Sequence, residues 1–453
     1  MNNRLKTIFA IVIPVSAILA VGTAWFVTRS PVSPFEATGS QVEVPSRLVA
    51  RGEYVSRLTD CVACHSVPGR AAYTGGLKMV TPMGAVFSTN ITPDRHTGIG
   101  AYTLADFDRA LRSGVAKDGH RLYPAMPYPS YAKLSDDDVK ALYAYFMQGV
   151  PAVHQQNQTN TIPWPLSMRW PLAFWNVMFV PSGVYHPDGT KDAQWNRGAY
   201  IVEGAGHCGA CHTPRGLAFN EKGTDSHSTT FVSGALIDGW FAPSLRNDPN
   251  TGLGRWSEDD VFRFLKTGRN EHAVVFGSMA EAFNNSTQFF TDDDLRAVAH
   301  YLKSLPGDGK GDGSAWHYEP TQTAALDPAR RQEIPGAQTY MAKCSFCHGT
   351  DGRGQGQWVP PLAGAASSLV PDSSSSINIT LNGSSRVVAA GVPDAYRMPS
   401  YRESLSDREV ADVLTFVRTS WGNRQAAVLA SDVKKLRDQT KPASSGPVIL
   451  KTR

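Results

Sequence analysis

The stretch Cys61-Val62-Ala63-Cys64-His65 recurs as Cys208-Gly209-Ala210-Cys211-His212 and again as Cys344-Ser345-Phe346-Cys347-His348. Together the three copies use all six cysteines of the 453-residue chain. In each copy two thiols stand three positions apart and an imidazole follows directly. This spacing lets both thiols bond to the edge of one porphyrin while the next residue turns its ring to the iron. The chain is therefore expected to carry three covalently attached haem c groups, on Cys61 and Cys64, Cys208 and Cys211, and Cys344 and Cys347, with His65, His212 and His348 as axial ligands. A disulfide within such a pair would close too small a ring to be useful. Zinc would want a second pair of soft ligands for each cysteine pair, and a redox dithiol would not need the histidine every time.

The surroundings of the motif repeat as well. Upstream stand Arg51-Gly52-Glu53-Tyr54-Val55, Arg197-Gly198-Ala199-Tyr200-Ile201 and Gly336-Ala337-Gln338-Thr339-Tyr340. Downstream come a Gly/Pro-rich loop, an amphipathic stretch, a methionine and a final helix. The final helices open on Ser135, Thr291 and Ser406, each followed by carboxylates that suit a helix N-terminus, and apolar residues then recur at helical spacing. This order predicts modules over 46–155, 192–306 and 334–422, with linkers at 156–191 and 307–333 and a tail at 423–453. The second linker, Gly307 to Gly313, reads as polar and flexible. The tail holds a candidate basic helix around Lys434, Lys435 and Arg437, then a Pro/Ser-rich end expected to be disordered.

The second iron ligand comes from the repeat. Met279 is the methionine that follows His212 in its module, and Met398 the one that follows His348. Met126, in Tyr123-Pro124-Ala125-Met126-Pro127-Tyr128, holds the same place ahead of its final helix, whereas Met79 and Met83 come too early and Met147 falls inside the helix. A single methionine reads as core filler. Three at one repeat position read as thioether ligands. His/Met ligation closes both faces of the iron, which suits electron transfer and speaks against a peroxidase or oxidase. The other nine of the 12 histidines occupy no repeated position. Carbonyls in Ala242-Pro243-Ser244-Leu245 and Pro360-Pro361-Leu362 are candidate acceptors for the N–H of the ligating histidine, with turn prolines as the plain alternative; module one has Asn90-Ile91-Thr92-Pro93 there.

Lys+Arg 44 against Asp+Glu 40 leaves no basic excess that would argue for nucleic acid. Arg4 and Lys6 precede an apolar run from Ile8 to Val27, so residues 1–30 read as an export signal or a retained anchor. Either places the bulk of the chain outside the cytoplasm. The segment Pro163 to Val180 is rich in Trp and Phe. Its apolar part is too short to span a bilayer, which takes about 20 residues, and it suits either the membrane interface or packing against a neighbouring module or subunit.

With these features placed, the chain resembles the tri-haem cytochrome c subunits of bacterial membrane-bound dehydrogenases, of the alcohol, gluconate, sorbitol and fructose dehydrogenase type. The likeness runs from about Arg47 to Gly422. It rests on Ser88-Thr89-Asn90-Ile91-Thr92-Pro93-Asp94 with Thr97-Gly98-Ile99-Gly100, on Phe276-Gly277-Ser278-Met279, and on Trp170-Pro171-Leu172-Ala173-Phe174-Trp175-Asn176. The resemblance implies a mainly α fold of three tandem cytochrome c-like domains on the periplasmic side of the inner membrane. It also implies a catalytic dehydrogenase subunit as partner and passage of electrons to ubiquinone. A free periplasmic carrier is the alternative. Similar tri-haem chains also accompany molybdenum hydroxylases, so the type of partner stays open.

Overall fold

The computed structural model describes residues 3–37, 45–309, 313–320, 327–328 and 331–443. Residues 1–2, residues 310–312 of the Gly-rich linker and the Pro/Ser-rich end 444–453 lie outside the described residues. The chain is mainly helical, with three short two-stranded antiparallel hairpins. Its contacts group into two compact units, residues 1–52 with 74–184, and residues 53–73 with 185–453.

In the first unit, a helix over Ser46–Leu58 contributes its N-terminal half, and Asp136–Ala144 forms the final helix of the module. Gly52 lies where a Cβ would come within 1.9 Å of the Ala141 carbonyl oxygen, so only glycine permits this approach. Arg51 Nη2 pairs with Asp138 Oδ1 at 2.7 Å beside it. The hairpin Lys78–Thr81/Gly84–Phe87 is held to the linker by Thr161, whose N–H donates to Ala85 O at 2.9 Å. The N-terminal residues form a helix over Asn3–Thr28. Among the described residues no helix is long and apolar enough to cross a membrane.

The aromatic linker folds into a helix over Leu172–Phe179 with two different faces. Ala173 is buried, and Asn176 accepts from Tyr128 Oη at 2.9 Å while donating to Ser113 O at 2.8 Å. Trp164, Trp170, Phe174, Val177 and Met178 stay exposed, Trp164 at 78 %.

The second unit holds the other two repeats. Helix Ala193–Tyr200 crosses helix Asp292–Ser304 at Gly198, where a Cβ would stand 2.1 Å from Ala297 O. Arg197 grips Asp294 with two hydrogen bonds of 2.7 and 2.8 Å. In the third repeat Gly336, at φ +82°, makes the same approach to Asp412 O on helix Asp407–Thr419. Behind that crossing Tyr340, Phe416 and Trp421 pack ring against ring at 5.3–5.8 Å.

The final helices begin where the carboxylate-rich openings predict. Ser135, Thr291 and Ser406 each accept from the backbone N–H three residues on, satisfying an orphan donor of the first turn. Their apolar stripes are buried, including Val139 and Leu142, Leu295 and Leu302, and Val410 and Leu414. The tail is more tightly used than its polar composition suggests. It forms a helix over Ala430–Gln439 that places Val433 and Leu436 in the third repeat's core, with Arg437 Nε on Asp407 Oδ1 at 2.7 Å.

Candidate haem-binding sites

Each Cys-x-x-Cys-His stretch forms one short helical turn: Cys61–His65, then Gly209–His212 after Cys208, then Ser345–His348 after Cys344. None of the six cysteines is paired in a disulfide. The histidine stands at the end of each turn.

Two of the three motif histidines are held in the same way. His212 Nδ1 lies 2.7 Å from Pro243 O, and His348 Nδ1 lies 3.0 Å from Pro360 O. A carbonyl only accepts, so Nδ1 carries the proton and Nε2 presents its lone pair to a metal. Burial lowers the basicity of both rings, which keeps them neutral as a metal ligand must be. The donor set of paired thiols, neutral imidazole and a later thioether therefore fits haem c in the second and third repeats.

Cys347 is exposed and the other five thiols are half-buried. Burial pushes Cys61, Cys64, Cys208 and Cys344 up to about 12 and Cys211 to about 11. The first and second motifs both belong to the second unit. The backbone reaches both motifs through a left-handed residue, Asp60 at φ 47° and His207 at φ 38°. Burial raises the Asp60 carboxyl well above its usual range, and its Oδ1 has no hydrogen-bond partner among the described residues.

Each expected methionine is half-buried and stands ahead of its module's final helix. Met279 is the second residue of helix Ser278–Asn285 and packs against Val275, Ala280, Phe283 and Val387. Met398 lies in a loop tied back on itself: its N–H donates to Ser384 Oγ at 2.9 Å, and Ser384 N–H donates to its carbonyl at 3.0 Å. Met126 belongs to the first unit, whereas its motif, Cys61–His65, belongs to the second.

Some contributors carry no local signal in the sequence. Asp60 and His207 are ordinary residue types in an unusual backbone state. Glu281 and Asp238 are exposed acids whose carboxyls are raised by desolvation, and neither recurs at a repeat position.

Comparison with known proteins agrees with this geometry. The cytochrome c family matches residues 49–149, 196–306 and 334–421, one stretch for each motif. The cytochrome c subunit of the quinone alcohol dehydrogenase of Gluconacetobacter polyoxogenes is 47% identical over 449 residues, covering 98% of this chain and 92% of that protein. The cytochrome c subunit of gluconate 2-dehydrogenase from Pantoea cypripedii is 49% identical over 89% of this chain and 93% of its own length. The cytochrome subunit of fructose dehydrogenase from Gluconobacter japonicus is 36% identical, covering 90% and 86%. With three matched domains and relatives alike over nearly its whole length, this chain belongs to the cytochrome c family and carries three of its domains in tandem.

Proposed function

We propose that the chain is the electron-transfer subunit of a periplasm-facing dehydrogenase complex, taking electrons from a catalytic subunit and delivering them to ubiquinone in the membrane. The observation that carries this reading is the near full-length likeness to cytochrome subunits of three different dehydrogenases. Haem c, when bound, supplies an iron that takes up and releases one electron at a time.

The chain's own residues hold and tune that group. Cys61, Cys64, Cys208, Cys211, Cys344 and Cys347 would anchor the three porphyrins, and His65, His212 and His348 would ligate the irons. The Pro243 and Pro360 carbonyls fix the ring orientation of His212 and His348. Met126, Met279 and Met398 would supply thioether ligands, which would raise the potentials. The exposed Trp164, Trp170, Phe174, Val177 and Met178 suit a segment lying in the membrane interface, where Trp and Phe are at home.

Detergent extraction of membranes should recover the chain together with a catalytic dehydrogenase subunit. Adding that subunit's substrate should reduce the haems, and a soluble ubiquinone analogue should reoxidise them. Recovery as a lone, detergent-independent protein would sink the subunit reading and leave a free carrier. Met126→Ala, Met279→Ala and Met398→Ala should each retain three haems, yet each should lose one of three contributions to the weak red absorption band of methionine-ligated ferric haem.

A further inference from the structure

The loop between Gly383 and Met398 in the third repeat contains the hairpin Val388–Ala389/Val392–Pro393. Its base is closed on Met398 by the paired bonds with Ser384. Its far part is occupied by two amide side chains from the second repeat. Asn284 Nδ2 donates to Arg386 O at 3.1 Å, and Val388 N–H donates to Asn284 Oδ1 at 2.9 Å. Gln288 continues the pattern, with Nε2 donating to Val388 O at 2.9 Å and Oε1 accepting from Ala390 N–H at 3.1 Å.

Arg386 O, Val388 N–H, Val388 O and Ala390 N–H form the open edge of one strand. A neighbouring strand would normally pair with those groups. Two side-chain amides take its place. Asn284 is buried, so each of its bonds forms where water competes little. Gln288 Nε2 also donates to Asn284 O at 2.8 Å, which makes the two amides one assembly. Beside them Val387 enters the apolar cluster of Val275, Ala280 and Phe283, against which Met279 packs. Gly268, at φ +77°, leaves the room, since a Cβ there would come within 2.9 Å of Val387 Cγ1. The buried pair Arg269–Asp394 fastens the returning strand.

Asn284 lies on the same helix as Met279, five residues later. One end of the loop therefore fixes Met398, and the other fixes the helix that carries Met279. We propose that Asn284 and Gln288 are positioning residues: their amide clamp makes the 383–398 loop a common strut for the axial methionines of the second and third haems. This rests on the ligand assignment given under the proposed function. The strut makes ligation of the second haem depend on a segment of the third repeat, more than 100 residues away in sequence.

The test uses the complete, haem-loaded protein in its complex and resolves three redox components by spectroelectrochemical titration. Met279→Ala identifies the component that belongs to the second haem. Asn284→Ala should then lower the midpoint potential of that same component and weaken its share of the red band, because a less firmly held thioether stabilises ferrous iron less. Gln288→Ala, which removes only the outer two bonds of a half-buried residue, should shift the same component less. It carries the test if Asn284→Ala fails to fold. An unchanged second component in a folded variant with three haems would overturn the clamp. If Met279→Ala itself left all three components unchanged, the ligand assignment would fall first and the strut with it.

Discussion

The second and third repeats cross their terminal helices at an equivalent glycine, yet they reach the first haem cysteine by different routes. Gly198 stands ten positions before Cys208, and Gly336 eight before Cys344. In the third repeat, helix Ala337–Lys343 runs straight into Cys344. In the second, helix Ala193–Tyr200 widens into a π-turn at Ile201–Ala205, and the chain then reverses through His207 at φ 38°. A π-turn is the usual way for a helix to absorb an inserted residue without losing its axis. The helix crossing and the haem turn are thus the fixed points of the repeat, and the spacer between them is adjustable. The repeats also differ in how the crossing is secured. Arg197 clips Asp294 in the second, whereas Pro335 stands ahead of Gly336 in the third. The exposure differs too: Phe346, inside the third haem turn, is 91 % exposed, whereas Ala210 at the same place in the second is half-buried.

The harshest test of the shared crossing is to fill it. Gly198→Ala meets Ala297 O and should cost about 2–3 kcal/mol through overpacking alone. Gly336→Ala meets Asp412 O and must also hold a left-handed backbone, which adds about 1–2 kcal/mol. Denaturant unfolding of the two haem-loaded variants should rank them in that order. A neutral Gly198→Ala would mean that the helices can slide, and the crossing would no longer be a fixed point.

The clip gives a smaller and pH-dependent effect. Burial alone would raise Asp294, but hydrogen bonds from Arg197 and Tyr54 outweigh it and hold the carboxyl below its usual value. A depressed carboxylate stabilises the fold above its unfolded pKa of about 4, and that contribution is lost as pH falls through the folded value. Arg197→Ala should cost about 1–2 kcal/mol at neutral pH, as expected for hydrogen bonds to a charged group. The deficit should shrink on acidification below about pH 4. A deficit that stayed constant with pH would assign the arginine's role to packing.

The smallest effect is expected at the exposed turn. Phe346→Ala should change stability by less than about 0.5 kcal/mol, as for surface substitutions generally, and should leave three haems in place. A large loss would show that the ring is covered by something in the folded protein.

Much of this organisation was legible from the residues. The haem turns, the capped final helices and the three-domain fold follow from short-range patterns: a five-residue motif, a Ser or Thr before carboxylates, and apolar residues at helical spacing. The prolyl carbonyls behind His212 and His348 were legible too, because Pro243 and Pro360 fall at equivalent places in the repeat. What escaped reading is long-range or conformational. Asn284 and Gln288 are unremarkable polar residues until residues 386–390 lie beside them. The left-handed states of Asp60 and His207 have no glycine to announce them. The tail helix reads as basic, and the burial of its Val433 and Leu436 in the third repeat's core has no local signal.

The grouping of residues 53–73 with the second compact unit bears on how the chain can be divided. Tyr54 donates to Asp294 at 2.5 Å, Arg57 donates to Asn285 O at 3.0 Å, and Ser286 donates to Arg57 O at 2.6 Å. A single backbone cut near residue 184 would therefore not free a tidy N-terminal fragment. The severed piece would still thread its first haem turn through the other, and the nicked protein would behave as a complemented pair, two chains sharing one fold.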